Sequence, residues 1–173
     1  MKHVFRLILV LLLTGCLIGC HYSESGDILE PVEFYYPRNS ASFVYGAANG
    51  VITAEIREAS GHVGDLNYLI SMYLRGPQDT ALRSPFPVGC KLEGIRTEES
   101  TLHVFLSSEF ATLEGIDLTL ACAALARTCL NMTQYQYICI DAVSEDQTVS
   151  VILDDASLLL ADYSVFTPAT EPQ

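Results

Sequence analysis

Leu102-His103-Val104-Phe105-Leu106 is the stretch on which the fold turns. Leu102, Val104 and Leu106 fall at every second position, the period of a strand with one buried face. His103 and Phe105 then belong to the outward register. Working outward, Glu98-Glu99-Ser100 forms a tight turn, and Lys91 to Arg96 before it supplies a neighbouring strand. Beyond it, Leu118 to Met132 places Leu118, Ala121, Cys122, Leu125, Cys129 and Met132 on one side of a helix. Tyr137-Ile138-Cys139-Ile140 follows as a strand, and Val149-Ser150-Val151-Ile152-Leu153 as another. Upstream, Asp65 is a suitable N-cap for a helix whose stripe is Leu66, Leu69, Ile70 and Tyr73. Gly76-Pro77 stops that helix, with Gly at the C-cap and Pro just beyond. From Asp65 onward the order is helix, strand, strand, helix, strand. This predicts an α+β fold: a small mixed or antiparallel sheet with two helices on one face.

The segment before Asp65 predicts more strand. Glu33-Phe34-Tyr35-Tyr36 reads as a first strand ended by Pro37. In Val51 to Arg57, Ile52, Ala54 and Ile56 alternate with Thr53, Glu55 and Arg57, which predicts that the apolar set faces inward. Asn49-Gly50, with Phe43-Val44-Tyr45 ahead of it, suggests a hairpin.

The N-terminus is a targeting segment. Lys2 and Arg6 precede the apolar run Leu7 to Leu13, and small residues with cysteine follow. The run to Cys20 is shorter than the roughly 20 apolar residues of a membrane-spanning helix. Leu-Thr-Gly-Cys16 and Leu-Ile-Gly-Cys20 both resemble the lipobox of bacterial lipoproteins, whose cysteine carries diacylglycerol. Cys20 is favoured because cleavage there leaves a polar tether from His21 to Asp27; Cys16 is the alternative. Two acyl chains, palmitate among the usual ones, suffice for stable anchoring. The chain divides into residues 1–20 (signal peptide and lipobox), 21–31 (tether), 32–160 (domain) and 161–173 (polar tail).

All 21 acidic residues follow Cys20, and two of the nine basic ones precede it, so the exported part carries a net charge of −14. That charge opposes nucleic acid and anionic lipid surfaces. Cys90, Cys122, Cys129 and Cys139 remain beyond the lipobox. Cys122 and Cys129 would lie about 10 Å apart along a helix, too far to bridge, and reduced, mostly buried thiols are expected.

Enzymatic signatures are absent: there is no HExxH, GxSxG, P-loop or GxGxxG. The lack of CxxC argues against zinc, and Asp141 to Asp146 supplies too few spaced oxygens for calcium, so no metal or cofactor is expected. His103 reads as a surface histidine. Ser107 or Ser108 as a nucleophile lacks a candidate base. Phe34, Tyr35, Tyr36, Phe43 and Tyr45 could line a cleft in a ligand-binding protein for peptidoglycan or a small solute, although strand aromatics are more often core.

Three stretches carry a resemblance: Leu74-Arg75-Gly76-Pro77, Ser84-Pro85-Phe86-Pro87-Val88-Gly89, and Leu102 through Ser107-Ser108-Glu109-Phe110. In this order they resemble the GerMN domain of sporulation and spore-germination lipoproteins, over about residues 33–153. Phe86 stands where the family usually has Leu, Cys90 where it has Thr, and one copy of the domain is present. The resemblance implies a core similar to the ring-building modules of secretion systems, no catalytic residues, and a structural part for Gly76, Pro77, Ser84, Pro85, Pro87, Gly89, Ser107, Ser108, Glu109 and Phe110. It further implies a non-enzymatic envelope protein that supports assembly or localisation of an envelope or sporulation complex. Its partners would be the membrane, through the lipid, and envelope proteins, a second copy of itself among them.

Overall fold

The computed structural model describes residues 31–39 and 51–161. The lipobox, the tether up to residue 30, the Phe43-Val44-Tyr45 hairpin segment and the tail beyond residue 161 lie outside them. The elements run β1 (Pro31–Pro37), β2 (Ile52–Glu58), α1 (Leu66–Leu74), β3 (Leu92–Glu98), β4 (Thr101–Leu106), α2 (Gly115–Met132), β5 (Tyr137–Val143) and β6 (Thr148–Leu153). Short 3-10 segments, Phe110–Thr112 and Ala156–Ala161, follow β4 and β6.

The strands make two sheets. β1 pairs antiparallel with β2, and β3-β4-β5-β6 form a four-stranded sheet in that order. Within it, β4 and β5 run parallel while the outer pairs are antiparallel. A parallel pair needs a long crossover, and α2 with its approach supplies it. The α+β class and the order α-β-β-α-β are as expected, with helices on one face of the larger sheet. The smaller sheet is a separate layer.

Leu102, Val104 and Leu106 of β4 and Ile138 and Ile140 of β5 are almost completely buried, as the period-2 reading requires. They join Leu69, Ile70 and Tyr73 of α1 and Ala121, Leu125 and Cys129 of α2 in one core. Each such aliphatic side chain contributes about 2 kcal/mol on leaving water. Asp65 caps α1, its carboxylate accepting from Tyr68 N–H at 3.1 Å.

α2 begins at Gly115, three residues before the apolar stripe does. Gly115 has a positive φ of 56° and opens the helix with no side-chain cap, so no polar cap residue marked the start. Ala123, Ala124, Ala126 and Thr128 are buried along with Ala121, Cys122, Leu125 and Cys129 of the stripe. The reason is a second neighbour: β1 packs on the other flank of α2, where Tyr35 N–H donates to Thr128 Oγ1 at 2.9 Å. The small residues let the backbones approach on both sides.

One expectation is reversed. In β2 the polar set faces inward: Arg57 is buried, whereas Ile56 is 66% exposed. The register explains it. Val32, Phe34 and Tyr36 of β1 pair with Arg57, Glu55 and Thr53. Directly opposed residues share a face, so burying the two β1 aromatics carries Arg57 and Glu55 inward with them.

Candidate functional site

Phe34 and Tyr36 are fully buried, and the Arg57 guanidinium lies 5.2 Å and 5.5 Å from their ring centres. Arg57 Nη2 donates to the Gly76 carbonyl (2.6 Å) and Tyr36 Oη (3.2 Å), and its Nε and Nη2 both donate to Glu55 Oε2. Glu55 Oε1 accepts in turn from Gln78 N–H (2.7 Å) and Asp79 N–H (2.6 Å). The cation thus sits at the C-terminal end of α1, where helix carbonyls favour positive charge. Tyr36 O–H donates to the Tyr73 carbonyl at 2.7 Å, and Tyr73 O–H to the Tyr35 carbonyl at 2.6 Å. Burial pushes both phenols upward, so they stay neutral donors.

The three motif stretches meet beside this network. Gly76 and Gly89 each have φ of 91°, a conformation that favours glycine. A side chain built at Gly76 would touch Ser84 Cβ at 3.5 Å, and one at Gly89 would reach the Glu109 side chain at 3.9 Å. Ser84 Oγ accepts from Phe86 N–H at 3.2 Å, which turns the chain at Pro85 so that Phe86 is buried edge-on against Tyr73, 5.2 Å between centroids. Phe110 lies 6.3 Å further on. The Pro87 carbonyl accepts from Cys90 N–H at 3.1 Å, closing a turn. Ser107 pairs with the strand entry opposite: its N–H donates to Lys91 O (3.0 Å), and Lys91 N–H donates to Ser107 Oγ (2.9 Å). A hydrogen bond from the Ser107 side chain holds Glu109 below the usual carboxylate range. Ser107 and Ser108 carbonyls accept from Phe110 and Ala111 N–H, starting the 3-10 turn. Pro77 follows the helix stop.

Beside this unit, a cleft of about 640 Å³ opens between α1 and the 84–92 loop. Phe34 and Tyr36 do not line it, being core, and Tyr35 is half-buried under the Arg127 guanidinium, 5.5 Å away. Phe43 and Tyr45 lie outside the described residues. Among the described residues, the aromatic set that motivated a ligand-binding reading is therefore reduced to Tyr35.

The four later cysteines are free and buried. Burial pushes Cys122 and Cys129 up to about 12 and Cys90 up to about 11.

Sequence reasoning missed a cluster on the open face of the four-stranded sheet. Arg96, His103, Cys139 and Ile152 form one cross-strand row, and Gly94, Phe105, Asp141 and Ser150 the next. Asp141 Oδ2 lies 3.4 Å from Cys139 Sγ and 3.5 Å from His103 Nδ1. Ser150 O–H donates to Asp141 Oδ1 at 2.7 Å. Burial acts to raise Asp141, but hydrogen bonds from Ser150, Cys139 and His103 outweigh it and leave the carboxyl low. Burial, then the bond to Asp141, raise Cys139. The carboxylate, rather than the imidazole, neighbours the thiol, which keeps the sulfur protonated and is the reverse of how a nucleophilic cysteine is activated. The signal available in the sequence was the pair Cys139 and Asp141 two apart on a strand; that His103 joins them depends on the parallel β4–β5 pairing.

Among the described residues, no helix is long and apolar enough to cross a membrane. No protein-family model matches the chain, and no curated protein does. Two solved structures are similar to it. One holds the tandem GerMN domains of the sporulation protein GerM from Bacillus subtilis: TM-score 0.48, 16% identity, 70% of this chain and 44% of that one. The other is a candidate lipoprotein from Clostridium perfringens: TM-score 0.43, 18% identity, 77% of this chain and 92% of that one. The chain spans less than half of the GerM structure.

Proposed function

We propose that this protein is a non-enzymatic envelope lipoprotein, held on the outer face of the cell membrane by lipid on Cys20 (Cys16 the alternative). Its GerMN-like domain supports the assembly or localisation of an envelope or sporulation complex by contact with other proteins. The observation that carries this reading is the use made of the motif residues. Gly76, Ser84, Gly89, Ser107 and Phe110 are spent on turns, backbone hydrogen bonds and packing. The Ser107 hydroxyl accepts from the Lys91 backbone N–H, and among the described residues no imidazole bonds it, which supports reading this strand exit as architecture. A domain whose distinctive residues build a rigid scaffold, on a chain bearing a lipobox, acts by being held in place.

The test compares a deletion strain with strains carrying the wild-type chain or Cys20→Ser together with Cys16→Ser. The expected result is a defect in envelope assembly or spore formation that the wild type restores and the unlipidated chain does not, with loss of membrane localisation in the latter. Normal envelope and spores in the deletion strain would sink the proposal.

A further inference from the structure

We infer that His103 Nδ1, Cys139 Sγ and Asp141 Oδ2 form a three-ligand site for a tetrahedral metal ion of the zinc class, on the open face of the four-stranded sheet. The three ligand atoms lie within 4.8 Å of one another. With Zn–S of about 2.3 Å and Zn–N or Zn–O of about 2.0–2.1 Å, tetrahedral geometry sets S···O near 3.5 Å and N···O near 3.4 Å. The observed S···O and N···O separations are 3.4 Å and 3.5 Å, so two edges of the coordination polyhedron are already in place. The third edge, sulfur to nitrogen, is within 4.8 Å and closes on binding.

The surroundings match what such a site needs. His103 and Cys139 are direct partners across the parallel β4–β5 pair, and Asp141 is two residues along on the same face, so two strands at the centre of a sheet hold all three donors. Ser150 fixes the second oxygen of Asp141 and leaves Oδ2 for the ion. The other imidazole nitrogen, His103 Nε2, faces Glu98 Oε2 at 3.6 Å. A ligating histidine ordinarily gives its second N–H to a carboxylate, which fixes the tautomer. Glu98, exposed and paired through Oε1 with Arg96 Nε at 3.2 Å, is the carboxylate that faces this nitrogen. On binding, Cys139 releases its proton to water, and thiolate, imidazole and carboxylate donate to the ion. A sulfur, a nitrogen and an oxygen select zinc or cobalt over magnesium or calcium. With three protein ligands, the fourth position faces solvent and takes a water.

The experiment titrates cobalt(II) into the full chain, untagged, in detergent and with thiols kept reduced. One equivalent is expected to produce a thiolate-to-cobalt charge-transfer band with tetrahedral visible absorption, and zinc should bleach it stoichiometrically. Cys139→Ala should abolish the band; Asp141→Asn should weaken binding at least tenfold; Cys90→Ala should leave it unchanged. Zinc should raise the thermal midpoint of the wild type and not of Cys139→Ala. Circular dichroism of each variant checks folding, and Asp141→Asn preserves side-chain shape if Cys139→Ala does not fold. Absence of the band in the wild type overturns the inference. So does a band that survives Cys139→Ala, or one that Cys90→Ala removes.

Discussion

The buried Glu55–Arg57 pair offers the sharpest test of the packing. The two side chains are 9% and 6% exposed. Replacing Glu55 by alanine leaves the Arg57 guanidinium in the interior with only the Gly76 carbonyl, the Met72 carbonyl and Tyr36 Oη as acceptors. Removing one partner of a buried ion pair costs about 3–5 kcal/mol, because the remaining charge is uncompensated. The retained acceptors put Glu55→Ala at the lower end, about 3 kcal/mol, or a fall of about 10 °C in Tm for a domain of this size. Gln78 and Asp79 N–H face solvent and take water at little cost. Arg57→Ala loses the same pair and also its stem over Phe34 and Tyr36, about 4 kcal/mol. The double variant removes both charges and should cost about as much as Arg57→Ala alone, a coupling of about 3 kcal/mol. The chain has no tryptophan, so urea unfolding is followed by far-ultraviolet circular dichroism. A loss below about 1 kcal/mol for Glu55→Ala, or single-variant losses that simply add in the double, would refute the buried-pair argument.

Gly76→Ala should destabilise by about 1–2 kcal/mol, because a φ of 91° strains any residue with a Cβ; a thermal melt of the variant measures it. Ser107→Ala should raise the Glu109 carboxyl toward its ordinary value, read by an NMR pH titration, since the Ser107 hydrogen bond is the leading cause of its low value. Cys122 and Cys129, pushed up to about 12, are protonated in the folded state where unfolded thiols near 9 already ionise. The folded state therefore binds more protons in that window, and stability is full below about pH 9 and falls as pH rises toward 12. Urea melts between pH 7 and 11 check the sign, and a stability that rises with alkali contradicts it.

What was legible follows from which forces act locally. Element type and order were readable because period-2 and period-3.6 apolar patterns follow burial on one side, as in Leu102-Val104-Leu106 and the Leu69-Ile70-Tyr73 face. The start of α2 was not, because Gly115 opens it without a polar cap. β2 was read inside out because Ile52, Ala54 and Ile56 form a sound amphipathic pattern in isolation. Its facing was set by β1, where Phe34 and Tyr36 outweigh Ala54 and Ile56, and Arg57 can satisfy itself against helix carbonyls. The motif residues were readable as structural parts, yet their convergence needed the turns at Gly76 and Gly89. The His103 cluster was invisible for the same reason as β2: it depends on which strand lies next to which.

Strand order also explains why two kinds of polar site coexist in one small domain. Arg57 and Glu55 lie under the smaller sheet, sealed by aromatic rings and helix carbonyls, so exchange with solvent ions is closed to them. His103 and Asp141 lie on a sheet face that none of the described helices covers, 16% and 22% exposed at their side chains, with exposed Ile152 and Val143 alongside. A sealed polar group cannot exchange partners, and the Glu55–Arg57 pair ties the β1–β2 layer to the end of α1. A polar group at an accessible face can exchange partners. Accessibility therefore separates the two clusters by role: substitutions in the first should move unfolding alone, and Asp141→Asn in the second should move metal binding with little effect on the apo-protein melt. Equal destabilisation from Asp141→Asn and Glu55→Ala in metal-free buffer would break that division.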